Sequence, residues 1–124
     1  MIDFQNATFA KLKAVNYSDF SSLVDPVLID GESVVGAYRG MRDGVVFTDK
    51  RIISINVQGM TGKKKDMTSL PYSKIQAFSV ETAGVLDLDS ELELWFSGLG
   101  KVKLEFVSSA NISQICKLIS DRVL

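Results

Sequence analysis

The amino-acid sequence predicts a mainly β domain with flanking helices, an α+β chain of seven antiparallel strands capped by a C-terminal helix and preceded by an N-terminal helical segment. Three observations lead there. From Val34 to Val107 the chain is a succession of short extended runs divided by glycine, the mark of an antiparallel meander. After that, apolar residues recur at helical spacing. The first thirty residues differ in texture from both.

In residues 1–29, Phe4, Ala7, Thr8, Lys11, Leu12 and Val15 fall at roughly helical spacing, and Phe20, Leu23 and Val24 predict a second short helix. Asp25-Pro26 ends it, because the residue before proline is pushed out of the α region. Asp30-Gly31 is then a turn signal. This helical extension is expected to pack on the domain of residues 30–124 or on a neighbouring subunit. Strands are predicted over 34–39, 45–48, 51–58, 65–70, 75–81, 91–96 and 101–107. Asp49-Lys50 predicts a tight hairpin turn and Gly59-Met60-Thr61-Gly62 a longer one, whose glycines can take positive φ. Ile112, Ile115, Cys116, Ile119 and Val123 line one face of the final helix, and Asn111 with Gln114 has the form of a capping box. Such a helix is suited to plugging the open end of a barrel or sandwich.

The hairpin over residues 91–106 carries its own register. Leu92, Leu94 and Phe96 alternate with Glu91, Glu93 and Trp95, while Val102, Leu104 and Phe106 alternate with Lys101, Lys103 and Glu105. A turn centred on Gly98 sets Glu93 opposite Lys103 and Trp95 opposite Lys101, all on the polar face. A two-residue shift would oppose Glu93 and Glu105, and a one-residue slip would put the apolar sets on opposite sides. Trp95 is therefore predicted to point away from the interior.

At 124 residues the chain fits one domain, which buries about two-thirds of its unfolded surface and needs neither disulfide nor structural metal. Fourteen basic and fifteen acidic residues leave a net charge of −1, which argues against nucleic acid as a partner. Cys116 is the single cysteine, and there is no histidine. Ser-His and Cys-His nucleophile pairs, most zinc sites and the usual general base near neutral pH are thereby excluded. Met1-Ile2-Asp3-Phe4-Gln5-Asn6 has neither the basic region nor the apolar run of a signal peptide, and no stretch reaches the ~20 apolar residues of a membrane span. A soluble cytoplasmic domain is expected.

The stretch Gly44-Val45-Val46-Phe47-Thr48-Asp49-Lys50-Arg51-Ile52-Ile53, followed by Gly59-Met60-Thr61-Gly62-Lys63-Lys64, Leu70-Pro71-Tyr72-Ser73-Lys74-Ile75, Phe78-Ser79-Val80-Glu81-Thr82-Ala83-Gly84 and Asp87-Leu88-Asp89-Ser90-Glu91-Leu92, resembles the bacterial pleckstrin-homology (PH) domain family, over about residues 30–123. The resemblance implies a PH-like barrel of two near-orthogonal antiparallel sheets closed at one corner by the C-terminal helix. It also implies a standalone protein that assembles with copies of itself into a ring, a pentamer being one plausible size, without an established biochemical activity. Eukaryotic PH domains that bind phosphoinositides carry basic residues through the first strand and first hairpin loop. Here that region reads Tyr38-Arg39-Gly40-Met41-Arg42-Asp43-Gly44, with two arginines, one aspartate and no lysine, a departure that argues against inositol-phosphate recognition.

Candidate sites follow. Outward Trp95, with Lys101 beside it, is the first candidate for an oligomer interface, because aromatic residues are enriched at interfaces. Phe4 and Leu12 add apolar surface outside the minimal barrel, to be buried on the domain or on a neighbour. Arg39, Arg42, Lys63, Lys64 and Lys65 form a weak candidate anion contact, although three consecutive lysines followed by Asp66 also suit a protected strand edge. The acidic alternation from Asp87 to Glu93 reads as a solvated or salt-bridged strand face rather than a metal site, having no central glycine or turn. Cys116 reads as a buried structural thiol. No nucleophile–base–orienter set is present, so neither an enzyme, a cofactor nor a metal is expected. The expected function is a non-enzymatic, self-assembling protein-interaction scaffold. The alternatives are a module for acidic head groups or an anionic membrane surface, and an adaptor that takes another protein's extended peptide along a sheet edge.

Overall fold

The computed structural model describes residues 1–58, 64–86, 88–107 and 110–124. The strands are β1 (Ala7–Ala14), β2 (Val34–Arg39), β3 (Asp43–Thr48), β4 (Arg51–Gln58), β5 (Lys64–Pro71), β6 (Ala77–Glu81), β7 (Ser90–Phe96) and β8 (Gly100–Phe106). Between β1 and β2, two 3-10 turns (Tyr17–Asp19 and Asp25–Val27) flank the single-turn helix α1 (Ser21–Val24), and α2 (Ile112–Val123) follows β8. Each of the seven strands predicted from the meander is present, its ends within two residues of the expected ones. The predicted Gly59–Gly62 turn lies outside the described residues.

Two expectations are corrected. Among the described residues the sheet has eight strands, and it is one curled, mixed sheet in the order β5-β4-β3-β2-β1-β8-β7-β6 rather than seven strands in two near-orthogonal sheets. The eighth strand is β1, where a helix was expected. It runs antiparallel to β2 and parallel to β8, and so joins the β2–β5 and β6–β8 meanders into one surface. A register shift between Phe9 and Leu12 explains the misleading spacing. Lys11 there takes a φ of 56°, and the extra residue of this bulge advances the phase, so that Phe9 and Leu12 both face the core although they are three apart. A bulged strand thereby imitates helical periodicity.

The sheet buries both faces of its first half. Inside the curl, Val45, Phe47, Ile52, Leu70, Leu92, Leu104 and Phe106 form the main core with Leu12, and Ile115 and Ile119 of α2 close it. On the outer face, Phe20 and Val24 cover Ala37, Val46, Ile53 and Ile55 in a second cluster. Two-sided burial accounts for the unbroken apolar runs Val45-Val46-Phe47 and Ile52-Ile53. As predicted, α2 starts at an N-cap, where the Asn111 side chain accepts a hydrogen bond from the Gln114 N–H at 3.2 Å. Cys116 is half-buried, with Sγ 4.0 Å from Ser120 Oγ, rather than fully enclosed.

Candidate functional site

The structure gathers three of the predicted basic residues in one place. Arg39 ends β2, Arg42 lies in the β2–β3 turn and Lys65 is on β5, and all three line an open cleft of about 330 Å³. Asp19 and Asp43 also line it, and Phe20, Leu23 and Ile55 supply apolar walls. The cleft forms because the segment between β1 and β2 crosses the outer face of β3 and β4 and brings Phe20 onto the backbone of Gly44. A Cβ at Gly44 would lie 2.4 Å from Phe20 Cζ, so only glycine admits the ring there. Gly40 is needed for a similar reason, since a Cβ would stand 2.5 Å from Asp43 Oδ1 and 2.9 Å from the Ala10 carbonyl oxygen.

Within the cleft the Arg39 guanidinium carbon sits 4.7 Å from the centre of the Phe20 ring, and its Nε lies 3.6 Å from Asp19 Oδ2. Both partners of that ion pair are substantially exposed, so it positions Arg39 more than it stabilises the fold. Burial pushes the Asp43 carboxyl above the usual aspartate range. Three cations, two carboxylates and apolar side chains thus line one hollow. Lys64 is exposed on β5 outside this lining, and Lys63 lies outside the described residues. Asp19 and Asp43 are not marked as site residues by the sequence, and Phe20 is marked there only as an apolar helix residue, because their place in the cleft arises only when the helical turns cross the sheet.

The predicted interface residues separate into exposed and buried ones. Trp95 is 48% exposed on the outer face of β7, opposite Ala77 on β6 and Lys101 on β8 as the predicted register requires. Together with Phe78 these residues line a shallow groove of about 150 Å³. Phe4 is half-buried, edge-on to Phe96 at 5.9 Å, and its carbonyl oxygen accepts the Lys101 N–H at 3.3 Å. Leu12 is corrected as an interface candidate: it is wholly buried in the main core and presents nothing to a partner. Of the acidic alternation, Asp87 lies outside the described residues and the other three acids are ion-paired. Glu91 and Lys103 approach to 3.3 Å, Glu93 and Lys101 to 3.8 Å, and Asp89 pairs with Lys11 from the β1 bulge.

Two features lie outside the sequence prediction. After β6, Val85 and Leu86 are 93% and 100% exposed, and Leu88 is also exposed. An aliphatic run falling between strands is the signal that could have revealed them. On the other side, Glu32 is enclosed and accepts Arg51 Nε and Nη2 at 2.9 Å each, the Thr48 hydroxyl at 2.7 Å and the Ile29 N–H at 3.1 Å. Hydrogen bonding from Arg51, against the opposing effect of burial, holds its carboxyl down at about 2. Arg51 also donates to the Val27 carbonyl at 2.7 Å, so the group ties the crossing segment to the β3–β4 hairpin and holds the cleft wall in place.

Among the described residues, no helix is long and apolar enough to cross a membrane. Comparison with known proteins places this architecture. The chain is 48% identical over 96 residues to the uncharacterised protein YjqA of Bacillus subtilis strain 168, covering 76% of this chain and 77% of that one. It is 31% identical over 102 residues to YozO of the same organism, covering 82% and 88%. Among solved structures it resembles a DUF1696 family protein with a pleckstrin-homology domain from Shewanella loihica PV-4, with a TM-score of 0.81, 40% identity, and coverage of 93% of this chain and 99% of that one. A pleckstrin homology domain from Shewanella amazonensis SB2B gives a TM-score of 0.67 at 40% identity, with coverage of 89% and 90%. The bacterial PH domain family itself matches residues 3–123, and with that span nearly the whole chain, the extra strand β1 included, belongs to the bacterial PH domain family.

Proposed function

We propose that this PH-like domain is a non-enzymatic cytoplasmic module whose working form is a homo-oligomeric ring, used as a scaffold for protein interaction. The observation that carries the reading is the apolar exposure at the two ends of the edge strand β6. Trp95 lies opposite its first residue, and Val85 and Leu86 follow its last. Large apolar side chains held in water are costly, and a neighbouring subunit is an economical way to cover them. The sheet also ends in two open edges, β5 and β6, which differ from each other. Contacts between unlike surfaces are heterologous, and they close into rings when the rotation between subunits permits.

Light scattering after size exclusion, on wild type and Trp95→Ala, tests the reading. The expected result is a defined multiple of 13.6 kDa for wild type and a lower mass for the variant. A single-chain mass for wild type at micromolar concentration would end it.

A second reading has its own support, because the cleft brings Arg39, Arg42 and Lys65 together although they are distant in sequence. On that reading the module takes an acidic head group. Asp19 and Asp43 in the same lining weaken the attraction for a multiply charged phosphate, and self-assembly is the better-supported reading.

A further inference from the structure

We propose that the Asp30–Gly31 turn is a modification site, at which the backbone isomerises through a cyclic imide to isoaspartate and so becomes a substrate for carboxyl methylation. The sequence holds two Asp-Gly pairs, Asp30-Gly31 and Asp43-Gly44, which share the same intrinsic chemistry. In each, glycine leaves its own backbone nitrogen unshielded by a side chain. That nitrogen attacks the aspartate side-chain carboxyl carbon; a C–N bond forms as a C–O bond breaks, and the amide proton leaves with the oxygen as water. Water then reopens the imide at either carbonyl. One product is aspartate again. The other is isoaspartate, whose backbone runs through the former side chain and is longer by a methylene. Its free carboxylate can accept a methyl group from S-adenosylmethionine, leaving a methyl ester and S-adenosylhomocysteine.

The fold separates the two pairs. Asp30 and Gly31 are both exposed, Gly31 has a φ of 81°, and a Cβ placed on it would meet nothing within 4 Å. They are the central residues of a turn that the Glu32 N–H closes on the Ile29 carbonyl at 3.1 Å. Such a turn can rotate without disturbing a strand. Gly44 is instead buried in β3, paired with Arg39 of β2 and Ile55 of β4 and covered by the Phe20 ring. Asp43 is half-buried, and its carbonyl oxygen accepts the Gly40 N–H at 2.8 Å. Bringing its carboxyl onto the Gly44 nitrogen would disrupt the ladder on both sides of β3. Burial keeps the Asp43 carboxyl protonated to higher pH, which by itself would favour attack there. Acidity and geometry thus favour different pairs, and geometry selects Asp30. The position also gives the change a consequence. The Ile29 N–H donates to Glu32 Oε1 at 3.1 Å across this turn, and the Ser33 N–H just beyond it donates to Asp49 Oδ1 at 2.9 Å. A methylene inserted between these fixed points shifts Glu32 and loosens its hold on Arg51.

The test ages the folded protein in heavy-oxygen water at neutral pH and physiological temperature, then maps it by peptide mass spectrometry. Each round of closure and reopening fixes one solvent oxygen. Label at Asp30 should accumulate about tenfold faster than at Asp43, a barrier difference of about 1.4 kcal/mol. In guanidinium chloride the two rates should converge, since no fold then distinguishes them. Isoaspartate, counted by methyl transfer from labelled S-adenosylmethionine with an isoaspartyl methyltransferase, should build up in wild type and stay low in Asp30→Glu. The longer side chain closes a less favoured ring, and the exposed position lets the variant fold, as circular dichroism checks. Ageing should lower the urea midpoint of wild type, leave that of Asp30→Glu in place, and have little further effect on Glu32→Gln, whose hold on Arg51 is already weakened. Equal or faster labelling at Asp43 in the folded protein would overturn the site. So would an unlabelled Asp30 in folded protein when the denatured sample is labelled, or equal methyl acceptance by wild type and Asp30→Glu. Isoaspartate at Asp30 with an unchanged midpoint would overturn its link to Glu32.

Discussion

Glu32 shows how one side chain can organise a region without belonging to any strand. It sits in the connection before β2, and its enclosed carboxylate gathers Arg51, Thr48 and the Ile29 N–H. Removing one partner of such a pair leaves the other charge uncompensated, so Glu32→Gln should lower stability by about 3 kcal/mol, read from urea unfolding at neutral pH. The pH dependence follows from the direction of the shift. The folded carboxyl titrates near 2 and the unfolded one near 4.5, so its contribution is complete above about 4.5 and is lost as pH falls toward 2. Wild type should lose stability over that window, and Glu32→Gln should show a correspondingly smaller loss. Equal slopes for the two proteins would refute the assignment. Nothing in the sequence separates Glu32 from the other acids, because its side-chain partners Thr48 and Arg51 lie 16 and 19 positions away.

At the scale of elements, β1 is the informative case. Its apolar residues were legible as such, but the bulge at Lys11 changed the period and with it the inferred conformation. Because β1 lies between β2 and β8, Leu12 serves the core of one chain rather than an interface. Leu12→Ala should therefore cost about 3 kcal/mol. The loss should persist, undiminished by dilution, under conditions in which the chains are separate, and a loss seen only in the assembled protein would contradict this placement. The β7–β8 hairpin behaves in the opposite way. Its alternation and charges admitted one register, and Glu93 opposite Lys103 and Trp95 opposite Lys101 are the pairs observed. The directly opposed Glu91 and Glu105 are tolerated because Lys103 lies 3.3 Å from Glu91 and Lys11 lies 3.9 Å from Glu105.

For the whole molecule, the two apolar clusters share β3 and β4, whose successive residues face the interior and the crossing segment in turn. Losing one cluster exposes the back of the other, so the domain should unfold as a unit. Trp95 fluorescence and far-ultraviolet circular dichroism should give coincident urea transitions, and separated midpoints would show that the crossing segment melts independently. The sequence by itself determined the seven strands from β2 to β8, the register of the last hairpin and the capped terminal helix. Each of these depends on alternation, turn chemistry or charge among residues close along the chain. Only the tertiary structure decided that residues 7–14 are a strand, that Leu12 is core, and that Arg39, Arg42 and Lys65 share a hollow with Phe20. Those outcomes depend on a bulge that alters the period and on a segment crossing the sheet, contacts between residues whose sequence separation hides their proximity.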